Sequence, residues 1–171
     1  MMGVVCNLLL GFLEVKSNKE TVEKIKKKAG LAEVKFKAEQ IYPEETWQSL
    51  LNAACEVLGV DSDTAEQLFA EYSVGILADK FGSFFKSSDS SLDLFRKVPK
   101  LHLDLPASMG VTTEEKLKLV VDEENKIIFH YKSPNQLCTF LKALAEQVFK
   151  HYSETGYSIV ENQCVKNGAK Y

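Results

Sequence analysis

The chain has 171 residues, 45% of them apolar, which is enough for one ordinary buried core. Its formal charge of -3 leaves no basic excess, which argues against extended contact with phosphate backbones and so against nucleic acid as a partner. Four cysteines, at positions 6, 55, 138 and 164, form no CxxC pair, and their simplest reading is as reduced thiols of a cytoplasmic protein.

Met1 to Leu13 is apolar but has no basic residue ahead of it and meets Glu14 and Lys16 too soon to span a bilayer. It is therefore predicted as a buried helix without membrane insertion, with Val5, Leu8, Leu9, Phe12 and Leu13 at helical spacing. Thr21 to Lys28 follows as a basic, exposed helix ending at Ala29-Gly30, where glycine suits a left-handed cap. Pro43 opens a third helix with Trp47, Leu50, Leu51, Ala54, Val57 and Leu58 on one stripe, stopping at Gly59. In a fourth, Asp63 with Glu66 makes the capping signature, and Leu68, Phe69, Tyr72, Ile76 and Leu77 supply the apolar side. Ser87 to Ser91 reads as a polar loop too short for a domain linker, so residues 1–171 are taken as one domain.

After residue 110 the period changes. Leu117, Leu119 and Val121 alternate with their neighbours, a turn is expected at Asp122 to Asn125, and Lys126 to Lys132 is rich in β-branched and aromatic residues, which together predict a hairpin. Leu137, Leu141, Leu144, Val148 and Tyr152 mark a long helix, and Tyr157 to Gln163 is expected as a further strand. The class is α+β, an N-terminal helical subdomain followed by an antiparallel sheet with a long helix.

No HExxH, GxSxG, P-loop or GxGxxG is present, so the chain reads as a non-enzyme. Of its three histidines His102 alone lies between apolar neighbours, Leu101 and Leu103. A metal or heme ligand needs such a neutral imidazole, although a lone histidine is on composition alone more often structural. Pro99 and Pro106 flank it, and Lys100 to Leu105 alternates like a strand, so the segment is either a helix starting at Pro99 or irregular. If the strand continued past Lys132, Tyr131, Ser133 and Asn135 would share a side and converge on one anionic group; an ordinary exposed strand is the other reading.

The order of several short segments resembles the H-NOX family, bacterial stand-alone type, related to the heme domain of soluble guanylate cyclase. Met1-Met2-Gly3 resembles its opening, Thr21 to Leu31 its WExIKxKAGL stretch, Ala53 to Gly59 its AASEVLG and Phe69 to Tyr72 its FGEY. His102 matches the proximal histidine, and Tyr131, Ser133 and Asn135 fall on the YxSxR heme-propionate motif, with asparagine replacing arginine. The resemblance implies heme b (iron protoporphyrin IX) held between helical subdomain and sheet and ligated by His102, with a neutral amide at Asn135 in place of a charge-assisted bond to a propionate. A heme-free binding or interaction module is the alternative.

The same resemblance places Val5, Leu9, Ser73, Val74, Phe140 and Leu144 on the distal side. Phe140 stands where oxygen-binding members carry tyrosine, which implies binding of nitric oxide and CO and discrimination against oxygen, with the Ser73 hydroxyl as a weaker donor. Nitric oxide would free His102 and shift its segment, a signal to a histidine kinase, a diguanylate cyclase or a chemotaxis receptor. Some relatives hold structural zinc; here Cys138 and Cys164 fall at similar places with Glu161 where histidine is expected, and a metal-free pair is the reading.

Overall fold

The computed structural model describes residues 1–164 and Gly168. Seven helices and one hairpin follow in order among the described residues: α1 Gly3–Lys16, α2 Lys19–Lys28, α3 Glu44–Leu58, α4 Ser62–Lys80, α5 Gly82–Lys86, α6 Ser91–Ser108, β1 Leu117–Glu123, β2 Lys126–Tyr131 and α7 Cys138–His151. They form two compact units, Met1–Ser73 and Val74–Tyr171, so the boundary falls inside α4.

In the first unit, α1 starts without a side-chain cap. Its first N–H groups find loop carbonyls instead, Gly3 donating to Gln40 O at 2.8 Å and Val4 to Ala38 O at 2.9 Å. The loop approaches so closely that a Cβ on Gly3 would lie 2.0 Å from Lys37 O, which explains glycine there. Asn18 caps α2 by accepting the Thr21 N–H at 2.9 Å. Gly30, at φ 73°, ends that helix as expected, with Leu31 N–H bonded back to Lys26 O at 2.8 Å. Gly59 at φ 67° ends α3 in the same way.

Two expectations shift. The cap of α4 is Asp61 and not Asp63: its carboxylate accepts the Thr64 N–H at 2.8 Å and the Thr64 hydroxyl at 2.7 Å. The α3 stripe closes before Val57 and Leu58, both exposed, and takes in Ala53 instead. The core is aromatic: Phe69 meets Phe12 and Trp47 at centroid distances of 5.7 Å each, tilted, an arrangement that rings prefer to face-to-face contact.

In the second unit, Ser90 caps α6 by accepting the Asp93 N–H at 3.1 Å. Glu154, beyond α7, accepts the Ser91 N–H at 3.0 Å, so a carboxylate sits at the N-terminus of α6, where the helix dipole favours it. The hairpin pairs Leu117 with Tyr131, Leu119 with Phe129 and Val121 with Ile128, with a bulge at Val120. The expected turn shrinks to Glu124-Asn125, because Asp122 and Glu123 still pair with Ile127 and Lys126. Tyr157 to Gln163 is not a strand. Alternation makes a strand only with a ladder partner; here Tyr157 stacks on Phe149 at 4.1 Å and Val160 is 72% exposed. No helix among the described residues is long and apolar enough to cross a membrane.

Candidate functional site

His102 lies in the interior of α6, which runs unbroken from Ser91 to Ser108 with Pro99 and Pro106 inside it. This settles the open reading of that segment: it is neither irregular nor a helix beginning at Pro99. Each proline removes one backbone donor, so the carbonyls four residues earlier, of Phe95 and of His102 itself, lose their helical partners. Interactions elsewhere hold the element. Its N-terminus is capped, Lys100 pairs with Asp104, and Arg96 donates through Nε to Asp122 Oδ1 and through Nη2 to Glu123 O, each at 2.6 Å. Arg96 thereby ties α6 to the hairpin turn, a long-range link that local sequence patterns do not signal.

Helical geometry also changes which residues share a side with His102. They are the positions three and four away, Val98, Pro99, Leu105 and Pro106, and not the sequence neighbours Leu101 and Leu103. All four are apolar and at least half-buried, so the imidazole stands on an apolar stripe flanked by both prolines. Burial lowers the His102 pKa, and the Lys116 ammonium acts in the same direction. By its surface, His102 is nonetheless an exposed residue. Protein atoms crowd near the imidazole enough to lower its pKa while the residue stays open at the surface, and its neutral form is the one that binds metals.

The strand carrying Tyr131 ends there, because Pro134 has no N–H to extend a ladder and the chain turns. Ser133 and Asn135 come together through that turn and not through strand alternation. The Ser133 Oγ accepts the Asn135 N–H at 3.3 Å, the Ser133 carbonyl accepts the Gln136 N–H at 3.1 Å, and Gln136 adopts φ 49°. Tyr131 is half-buried, while Ser133 and Asn135 are 3% and 4% exposed. A phenol, a hydroxyl and an amide thus lie within five residues of one another, a set that suits a carboxylate.

Of the remaining predicted residues, Val5, Leu9 and Ser73 belong to the first unit and Val74, Phe140 and Leu144 to the second. Leu9 is fully buried and Val5 half-buried. Ser73 is fully buried, and its hydroxyl donates to Phe69 O at 2.6 Å within α4. Val74 and Leu144 join one apolar cluster with Phe85, Leu94 and Val148. Phe140, one turn before Leu144 on α7, stays half-buried.

All four cysteines are free thiols. Cys138, Glu161 and Cys164 place their ligand atoms within 4.8 Å of one another. The metal-free pair of the sequence reading thus has a third donor drawn to it, and two sulfurs with a carboxylate are a set that Zn2+ accepts.

A family model described as Haem-NO-binding matches residues 2–157. Among solved structures, an H-NOX protein from S. oneidensis in the Fe(II)NO ligation state is similar with TM-score 0.85 and 17% identity, covering 99% of this chain and 94% of that one. The unliganded Fe(II) H-NOX protein from K. algicida follows with TM-score 0.75 and 16% identity over 90% and 84%. An oxygen-binding H-NOX domain related to soluble guanylate cyclases, in its oxygen complex, gives 0.76 and 14% over 90% and 81%. These likenesses confirm the α+β fold. No curated protein sequence matches the chain.

Proposed function

The chain belongs to the Haem-NO-binding (H-NOX) family of heme-based gas-sensor domains, and on that premise we propose that it holds heme b through His102 and senses nitric oxide and CO while discriminating against oxygen. The single observation that carries this reading is the setting of His102, on an apolar stripe of α6, exposed at its surface and with its pKa lowered by burial. The rest of the second unit suits the same group. Tyr131, Ser133 and Asn135 offer polar contacts for a propionate, and half-buried Phe140 and Leu144 offer an apolar surface for a flat ring. The family model spans residues 2–157 and so reaches into both units, which supports reading them as parts of one domain.

When bound, the heme would be held by His102 and would supply a ferrous iron able to take up a gas. What the chain's residues do follows from their own chemistry. Phe140 has no donor to offer the polar dioxygen ligand, and Ser73, a candidate donor by sequence, spends its hydroxyl on Phe69 O. Val74 is read as an apolar part of the same site. His102 sits on the helix that Arg96 ties to the hairpin, so the position of α6 is the quantity that a signalling partner reads. A histidine kinase, a diguanylate cyclase and a chemotaxis receptor are the partner classes proposed, in the cytoplasm of a bacterium.

Visible absorption of the purified protein tests this. A Soret band that shifts with nitric oxide and is abolished in His102→Ala is the expected result. A protein that stays colourless after hemin addition overturns it and leaves an H-NOX-like module for another apolar ligand or a protein partner.

A further inference from the structure

The chain that leaves α7 turns back onto the start of α6. Ser153 N–H donates to Lys150 O and Glu154 N–H to Phe149 O, each at 3.0 Å, and Ser153 takes φ 56°. This is a helix end of the kind usually built on glycine, here imposed on a serine. It delivers the Glu154 carboxylate to the first residue of α6, where Oε1 accepts the Ser91 N–H at 3.0 Å across 63 residues of sequence. Two positions earlier the Tyr152 hydroxyl donates to Phe85 O at 2.8 Å. The corner after α7 thus grips the α5–α6 connection on both sides.

Ser91 is fully buried, so an N–H released by the carboxylate has no water to turn to. An anion at a helix start is also favoured by the helix dipole. Ser91, Phe95, Arg96 and Lys97, which join α6 to its surroundings, all lie in its first two turns. Phe95 does so against Phe149 of α7, with ring centroids 5.8 Å apart. The two helices are therefore joined where α6 begins and α7 ends. His102 lies toward the other end of α6, about 16 Å along the axis from Ser91, and Phe140 lies in the first turn of α7.

We propose that Glu154 is a positioning residue: by capping α6 from the end of α7 it fixes where the His102 helix sits, and so how firmly His102 stays on the iron in the presence of nitric oxide. The inference rests on the heme reading above and adds a residue that regulates the site without touching it. A helix held at its start resists following the iron, whereas a released one follows it, so loss of the carboxylate favours the state with His102 bound.

The test compares the wild-type chain with Glu154→Ala, with Glu154→Gln, whose amide oxygen still accepts the Ser91 N–H, and with Asn18→Ala, which removes the cap of α2 instead. In the chain without hemin, amide exchange at the start of α6 is expected to run roughly fivefold faster in Glu154→Ala, the usual effect of losing a cap, and near wild type in Glu154→Gln. In the reduced, hemin-loaded chain with nitric oxide, the Soret band reports the ratio of His102-bound to His102-free iron. That ratio is expected to rise about twofold or more in Glu154→Ala, to return to wild type in Glu154→Gln and to stay unchanged in Asn18→Ala. Faster exchange with an unchanged ratio, or an equal shift in Asn18→Ala, makes the role of Glu154 merely structural and overturns the proposal while leaving the heme reading standing. Unchanged exchange in Glu154→Ala overturns it as well. A wild-type chain that takes up no hemin overturns both.

Discussion

The two units bury their apolar side chains to different depths. Among the described residues, the largest side chains below 2% exposure in the first unit are Trp47, Phe69, Leu9, Leu13, Ile25 and Leu50, whereas the second unit contributes Leu94 and the small Ser91. Apolar residues around the candidate site, such as Leu105, Phe129, Phe140, Leu141 and Leu144, stop halfway. Protein interiors pack as densely as organic crystals, so a core satisfied by its own side chains looks like the first unit. On the reading proposed above, the half-buried residues of the second unit are those that a bound heme would cover.

The largest effect that tests this contrast is expected at Phe69, where truncation to alanine removes the ring in contact with Phe12 and Trp47. Urea unfolding is expected to show a loss of about 3–5 kcal/mol, against about 1 kcal/mol for Phe140→Ala; equal losses would erase the distinction. Hemin is expected to stabilise the second unit selectively. At a hundred times its dissociation constant the gain is about 2.7 kcal/mol, and hydrogen exchange should slow at α6 and around Tyr131; uniform slowing across both units would count against the reading. Gly3→Ala brings a Cβ onto the Lys37 carbonyl, and a loss of about 1–3 kcal/mol is expected by the same urea assay. For gas choice, Phe140→Tyr is expected to give a stable ferrous-oxygen spectrum that wild type lacks, and Ser73→Ala to leave the spectrum unchanged. The smallest effect concerns Cys6, whose thiol burial pushes up to about 11. Almost no thiolate exists at pH 8, so native Cys6 should resist alkylation that it accepts once unfolded.

Much of the helical framework could be read from residue order, because apolar stripes and glycine C-caps act locally: Gly30 and Gly59 end α2 and α3 where expected. Local signals fail where two candidates are equivalent or where distant contacts decide. Asp61 and Asp63 are both good caps, and only the position of Thr64 selects the first. Pro99 and Pro106 argued against a continuous helix, yet packing and the Arg96 link outweigh two missing hydrogen bonds. The Tyr157 segment alternates correctly but lacks a ladder, which no local pattern reveals. For the proposed site, residue type and order were enough to nominate His102, Tyr131, Ser133 and Asn135. They did not reveal Lys116 near His102, or Glu161 beside Cys138 and Cys164, since proximity across tens of residues leaves no mark in a single sequence.

The prolines of α6 have one more mechanical meaning. With the ladder interrupted at the carbonyls of Phe95 and His102, the helix is softest along the stripe that carries the imidazole, while Arg96 pins its opening turns to the hairpin. On the heme reading, a pull or release at the ring would bend a compliant rod clamped at one end, and the displacement would accumulate toward Ser108, far from the clamp.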